Sequence, residues 1–159
     1  MEQVSKRREE DRTNGALEAL YRAEYVGMVR LAFTLVGSNA EAEDVVQDSF
    51  VEVSRRLDEI RSPGAYLRSA VVSRCHSALR RRRVMTSHRP EAPADLGGEA
   101  GELWDVLGRL DEDQRVAVVL RYYGGYRSSE IAKITDLPAS TVRSHLRRGL
   151  AALRKELDP

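Results

Sequence analysis

Residues 128–157, SSEIAKITDLPASTVRSHLRRGLAALRKEL, constrain this chain more than any other segment. They read as two short helices joined by a tight turn, the second carrying Arg143, Arg147, Arg148, Arg154 and Lys155. Small Ala132 lets the helices touch, Asp136 stands where the turn calls for a left-handed backbone, and apolar Val142 follows ten positions after Ala132. This is the frame of a helix-turn-helix, whose second helix enters a DNA major groove. On that helix Val142, Leu146, Leu150 and Leu153 form the core side, so Arg143 and Arg147 point elsewhere.

The distribution of charge also points to DNA. The net charge is only +1, but it conceals a strong segregation along the chain. Residues 1–60 carry 8 basic and 13 acidic groups, 61–90 carry 8 and none, 91–127 carry 4 and 8, and 128–159 carry 6 and 4. The balance runs −5, +8, −4, +2. Phosphate binding follows local cationic density rather than whole-chain charge, so two positive segments imply two contacts with a polyanion.

Apolar periodicity gives the rest of the organisation. Leu17, Leu20, Tyr21, Met28, Leu31 and Leu35 recur on one helical face, and Gly37 ends that run. A second helix opens at Ser38, where Ser38 with Glu41 matches a capping box, and turns Val46, Phe50, Val53 and Leu57 inward. A third follows Ser62-Pro63, with serine as cap and proline in the first turn, and buries Leu67, Val71 and Ala78. The stretch VMTSHRPEAPADLGGEAG, residues 84–101, has two prolines and three glycines and reads as a flexible linker. Periodicity returns with Leu103, Leu107 and Leu110, then with Val116, Val119, Leu120 and Tyr123 behind a cap at Asp111 to Gln114.

The expected fold is all-α: two small helical domains joined by the linker, the second containing the helix-turn-helix. Residues 1–13 are read as a charged tail, 14–83 as the first domain and 102–157 as the second. No apolar run approaches the roughly 20 residues of a membrane span, and the start MEQVSKRREE is unlike a signal peptide, so a cytoplasmic protein is expected. The single cysteine, Cys75, excludes an internal disulfide. It falls in line with Leu67, Val71 and Ala78 and is expected to be a buried thiol. Cys75, His76 and His88 have no metal-ligand spacing, and neither metal nor cofactor is expected. Trp104, Tyr122 and Tyr123 are read as packing residues. No nucleophile constellation, paired carboxylates or glycine-rich phosphate loop stands out, so no catalysis is expected.

Two segments carry a family resemblance. AEAEDVVQDSFVEV, residues 40–53, is similar to the segment by which bacterial sigma factors grip the clamp of RNA polymerase. LDEDQRVAVVLRYYGGYRSSEIAKITDLPASTVRSHLRRGLAALRK, residues 110–155, resembles their fourth conserved region. In this order, with a linker of this length, the chain resembles the extracytoplasmic-function class over about residues 15–157. The resemblance implies an initiation factor that binds core RNA polymerase, directs it to two-element promoter DNA, helps to open the −10 region and answers to an anti-sigma factor.

Residue by residue, the resemblance places core-polymerase binding on Glu41, Asp44, Gln47 and Asp48, which share one face of the second helix. It places −10 recognition between residues 57 and 83, where the loop Asp58 to Gly64 captures an unstacked base. Arg61, Tyr66, Arg68, Ser73, Arg74, Arg80 and Arg81 are the −10 candidates, in keeping with the cationic grooves that bind single strands. Ser73 and Ser77 stand where many relatives carry asparagine and aspartate, which implies modest melting power and strict promoter matching. For −35 recognition it implies Ser140, Thr141, Arg143, Ser144, Arg147 and Arg148. His145 stands where relatives often have arginine and is read as exposed and silent. At full extension 18 residues span roughly 60 Å, against roughly 58 Å for some 17 base pairs. Two other readings stay open: a stand-alone regulator that dimerises on palindromic DNA, and a nucleic-acid-processing enzyme using Cys75 and His76.

Overall fold

Gly37 stops the first helix because its backbone turns left-handed, at φ 75° and ψ 15°, and its N–H bonds back to Phe33 O at 2.8 Å. Around that stop the chain builds two helical bundles. The structure, a computed structural model, describes residues 1–85 and 99–158. Its elements are α1 (Glu2–Val36), α2 (Asn39–Arg56), a 3₁₀ turn (Leu57–Glu59), α3 (Pro63–Met85), α4 (Glu99–Leu107), α5 (Glu112–Val118), a π-helical turn (Val119–Tyr123), α6 (Ser128–Thr135) and α7 (Ala139–Leu157). The described regular structure is all helical, as the patterning requires.

α1 is longer than its apolar face. The segment read as a charged tail is helical from Glu2, because Glu, Lys and Arg propagate a helix without a buried stripe. α3 likewise runs on to Met85 and α4 starts at Glu99, so both ends of the expected linker are helical. Its residues 86–98, with His88, lie outside the described residues.

The first bundle packs α1, α2 and α3 pairwise. Leu31, Leu35 and Val36 meet Val46, Phe50 and Val53 and, from α3, Leu67, Val71 and Cys75, all buried. Tyr21 sits at the edge, exposed on one face and stacked on Tyr25, with ring centroids 4.5 Å apart. Only half of the expected capping box forms. Ser38 Oγ accepts from Glu41 N at 3.4 Å, while the Glu41 carboxylate turns to Arg82 instead.

In the second bundle α5 and α6 pack on α7. Gly149 permits the closest approach, since a Cβ there would lie 2.8 Å from Val118 Cγ2 and 3.4 Å from Gln114 O. Asp111 precedes α5 without the expected side-chain cap bond. Trp104 is buried while Leu103 is exposed, one step off the expected phase. Tyr122 and Tyr123 are exposed, not packed inside. The cause is the π-helical turn, closed by Gly124 N–H to Val119 O at 3.0 Å, which adds a residue to the turn and rotates Tyr123 off the Val116, Val119, Leu120 face. The two tyrosines instead line an apolar groove of about 310 Å³ with Leu103, Leu150 and Leu153.

The bundles are docked. Phe33 of α1 meets Trp104 of α4, centroids 4.9 Å apart, within one apolar cluster that runs through both cores. Arg115 of α5 is buried at the seam, where it donates to Leu35 O at 3.2 Å and lies 5.8 Å from the Trp104 ring centroid. Arg83 of α3 pairs with Glu112 and Asp113 at the start of α5.

Gly149→Val is expected to lower thermal stability by about 1–3 kcal/mol through overpacking. Gly149→Ala should cost less, because the roughly 1 kcal/mol gain in helix propensity offsets part of the clash. Thermal denaturation followed by circular dichroism measures both.

Candidate nucleic-acid interface

The helix-turn-helix forms as its spacing requires. Asp136 ends α6 at φ 55° and ψ 39°, the one non-glycine residue with positive φ among those described. Leu137 N–H then bonds to Ala132 O at 3.1 Å, and α7 starts directly after Pro138. At the other end of α6 the Glu130 carboxylate accepts from Arg127 N–H at 2.8 Å, holding the first turn. Val142 is buried, with Leu146, Leu150 and Leu153 partly buried beside it. Ser140, Arg143, Arg147 and Arg148 are exposed on the other side, with Thr141 and Ser144 at its margin. No acidic residue lies in the first turn of α7, so its N-terminal dipole end is open to phosphate.

His145 is half-buried rather than exposed. It lines a cavity of about 260 Å³ between the bundles, with His76, Arg80, Arg83, Asp113 and Asp136. Burial, helped by Arg80 and Arg83, pushes the His76 imidazole below its ordinary range.

α3 carries the other basic surface. Arg61, Arg68, Ser73, Arg80 and Arg81 are exposed, and their side chains make no hydrogen bond or ion pair among the described residues. The run Arg80 to Arg83 is divided by its partners. Arg82 donates to Val36 O at 2.8 Å and to Glu41, and Arg83 is taken up by Glu112 and Asp113. Tyr66 and Arg74 are also held, both by Glu52 of α2. Those bonds keep the Glu52 carboxyl below the usual carboxylate range, and the same bond raises the Tyr66 phenol.

On α2, Asp44, Gln47 and Asp48 are exposed on one face, backed by buried Val45, Val46 and Ser49. Glu41, expected on the same stripe, is half-buried in its pair with Arg82 and is less available than the other three. Cys75 is fully buried, and burial pushes its thiol up to about 12.

Sequence reasoning missed Glu52, Arg115 and Gly149. Arg115 sits beside an apolar run, but nothing local marks a buried arginine whose acceptor lies 80 residues away.

Known proteins match both bundles. The family model Sigma-70 region 2 matches residues 20–84, and Sigma-70, region 4 matches residues 100–153. The RNA polymerase sigma-E factor of Streptomyces avermitilis is 34% identical over 156 residues, covering 89% of this chain and 87% of its own. The chain belongs to the extracytoplasmic-function sigma factors. This sigma factor is a transcription initiation factor working with RNA polymerase, which sets aside the stand-alone regulator. Two solved structures share its fold. One is the sigma factor RpoE in complex with the anti-sigma factor NepR from Bartonella quintana, at TM-score 0.64 and 22% identity, covering 92% of this chain and 98% of that one. The other is CnrH in complex with the cytosolic domain of CnrY, at TM-score 0.61 and 26% identity, covering 91% and 89%. Among the described residues no helix is long and apolar enough to cross a membrane.

Two measurements test this geometry. A thiol reagent at pH 8 should leave Cys75 of the folded sigma factor unmodified and label it fully in urea, because only the unfolded chain exposes the thiol and lets it ionise. Trp104, the sole tryptophan, reports the seam. Arg115→Ala leaves Leu35 O without its partner, a cost of about 1–3 kcal/mol, and should shift Trp104 emission to the red under conditions where helical content is unchanged.

Proposed function

We propose that this sigma factor divides promoter recognition between its two basic surfaces and binds core RNA polymerase through the acidic face of α2. Asp44, Gln47 and Asp48 form the polymerase contact, with Glu41 at its margin holding α2 to α3. The residues Arg61, Tyr66, Arg68, Ser73, Arg74, Arg80 and Arg81 meet the −10 element as a single strand, phosphates lying along the arginines and an extruded base captured by the loop of residues 58–64. Ser140, Thr141, Arg143, Ser144, Arg147 and Arg148 meet the −35 element as duplex in the major groove.

The observation that carries this reading is the pairing pattern of the cations. Arg80 and Arg81 on α3, and Arg143, Arg147 and Arg148 on α7, have no internal carboxylate partner among the described residues, whereas their neighbours Arg82 and Arg83 do. A phosphate backbone recruits cations that are free to exchange counterions. The acidic stripe of α2 lies away from both surfaces in kind: exposed carboxylates suit a basic protein partner and repel DNA.

The factor acts where RNA polymerase does, in the cytoplasm, and supplies no chemistry of its own. Of the two solved structures that share its fold, one holds an anti-sigma factor and the other the cytosolic domain of CnrY. By that analogy an anti-sigma protein controls this one.

The test mixes the purified protein with bacterial core RNA polymerase on size exclusion, then transcribes a pool of randomised promoter fragments. Co-elution and selected −10 and −35 sequences are expected. Duplex binding by the protein alone, without co-elution, overturns the reading. Replacing Arg143 and Arg147 by alanine is expected to abolish −35 selectivity and spare co-elution. Each bidentate arginine–guanine contact contributes about 1–3 kcal/mol of discrimination, and unchanged promoter choice would remove the groove assignment.

A further inference from the structure

We propose that Glu52 is a positioning residue for −10 recognition, whose carboxylate presets the Tyr66 ring and the Arg74 guanidinium for the non-template strand. The proposal rests on the assignment of residues 57–83 to the −10 element.

Two of the side chains assigned to that surface are held in place, and one carboxylate holds both. Glu52 Oε1 accepts from Tyr66 Oη at 2.7 Å, and Glu52 Oε2 accepts from Arg74 Nη1. Tyr66 and Arg74 are eight residues apart, two turns of α3 on the same face, and Glu52 spans them from α2. Arg56, one turn beyond Glu52, donates to Tyr66 Oη at 3.0 Å while its guanidinium carbon lies 5.6 Å from the ring centroid. Arg56 Nε also donates to Glu59 Oε2 in the following turn, at 3.4 Å. The phenol therefore both donates and accepts. Glu59, Arg56, Tyr66, Glu52 and Arg74 form one chain of hydrogen bonds that frames the base-capturing loop.

Neither stability nor DNA affinity accounts for a carboxylate at this place. The Glu52–Arg74 pair is about one-third exposed on each side, so solvent screens part of what it contributes to folding. Toward DNA, Glu52 repels phosphate and occupies a cation that would otherwise bind it. What the arrangement supplies is geometry: a ring and a guanidinium already ordered lose less freedom when a base and a phosphate arrive. The consequence is a pair of effects of opposite sign. Removing the charge should strengthen non-specific DNA binding and weaken −10 discrimination.

The test uses holoenzyme assembled with Glu52→Gln and the promoter selected by the unmodified protein, beside versions substituted at −10 or at −35. The expected result is a fall of about tenfold in −10 discrimination, the scale of one base-stacking contact. Discrimination at −35 and co-elution with core polymerase should be unchanged, and binding to random duplex no weaker. In a Tyr66→Phe background Glu52→Gln should cost less than it does alone, because one of its contacts is already cut. Unchanged −10 discrimination in Glu52→Gln overturns the proposal. So does a parallel loss of −10 selectivity, −35 selectivity and polymerase binding with a lowered melting temperature, which marks a purely structural role. If the unmodified holoenzyme shows no −10 preference, the −10 assignment itself fails, and that result is recognised before any variant is made.

Discussion

The carbonyl groups at the end of α1 govern how this molecule is put together. A helix leaves its last carbonyls without internal partners and its C-terminus partly negative. Here each of three is satisfied from a different direction. Phe33 O takes the Gly37 N–H, Val36 O takes Arg82 from the same bundle, and Leu35 O takes Arg115 from the other. Hydrogen bonds to a charged donor contribute about 1.5–3 kcal/mol each. One helix end thereby orients α3 within the first bundle and receives α5 of the second.

From that junction the electrostatics of the two functional surfaces follow. Arg82, fixed on Val36 O, also takes the Glu41 carboxylate, which withdraws one acid from the stripe on α2 and one cation from α3. Arg83 reaches across to Glu112 and Asp113, so the far end of the arginine run serves the seam while Arg80 and Arg81 have no ion pair among the described residues. The seam also concentrates cost. Burial pushes the Arg115 guanidinium below its ordinary range, and its Nε has no hydrogen-bond partner among the described residues. The Trp104 face and Leu35 O offset that penalty only while the bundles stay docked.

The two surfaces proposed to meet DNA are built differently. On α7 the arginines stand out from a helix whose opposite face is packed, and the rigidity of the helix alone aims them. On α3 the proposed target is a flexible strand, and there Tyr66 and Arg74 are held by bonds to Glu52, which cross from α2 to α3. Single strands offer no groove to fix register, so the protein must supply it.

What the sequence alone determined about this protein is whatever depends on near neighbours in the chain. The left-handed Asp136, the glycine stop at residue 37, the apolar stripes and the exposed arginines of α7 all follow from backbone sterics and a helical period of 3.6 residues, and the structure has each of them. The same local rules identified the family, because its motifs are contiguous. They failed where an element departs from the standard period or where a partner comes from elsewhere. Tyr122 and Tyr123 turn outward because a π-helical turn shifts the phase, and residues 2–13 are helical without any stripe to announce it. Arg115, Arg82 and Glu52 look like ordinary charged positions until folding brings a carbonyl, a carboxylate or a phenol against them. Only the tertiary structure decided which cations are paired inside the protein and which stay unpaired at its described surface, because an ion pair or a buried donor is defined by distance in space and not by separation along the chain.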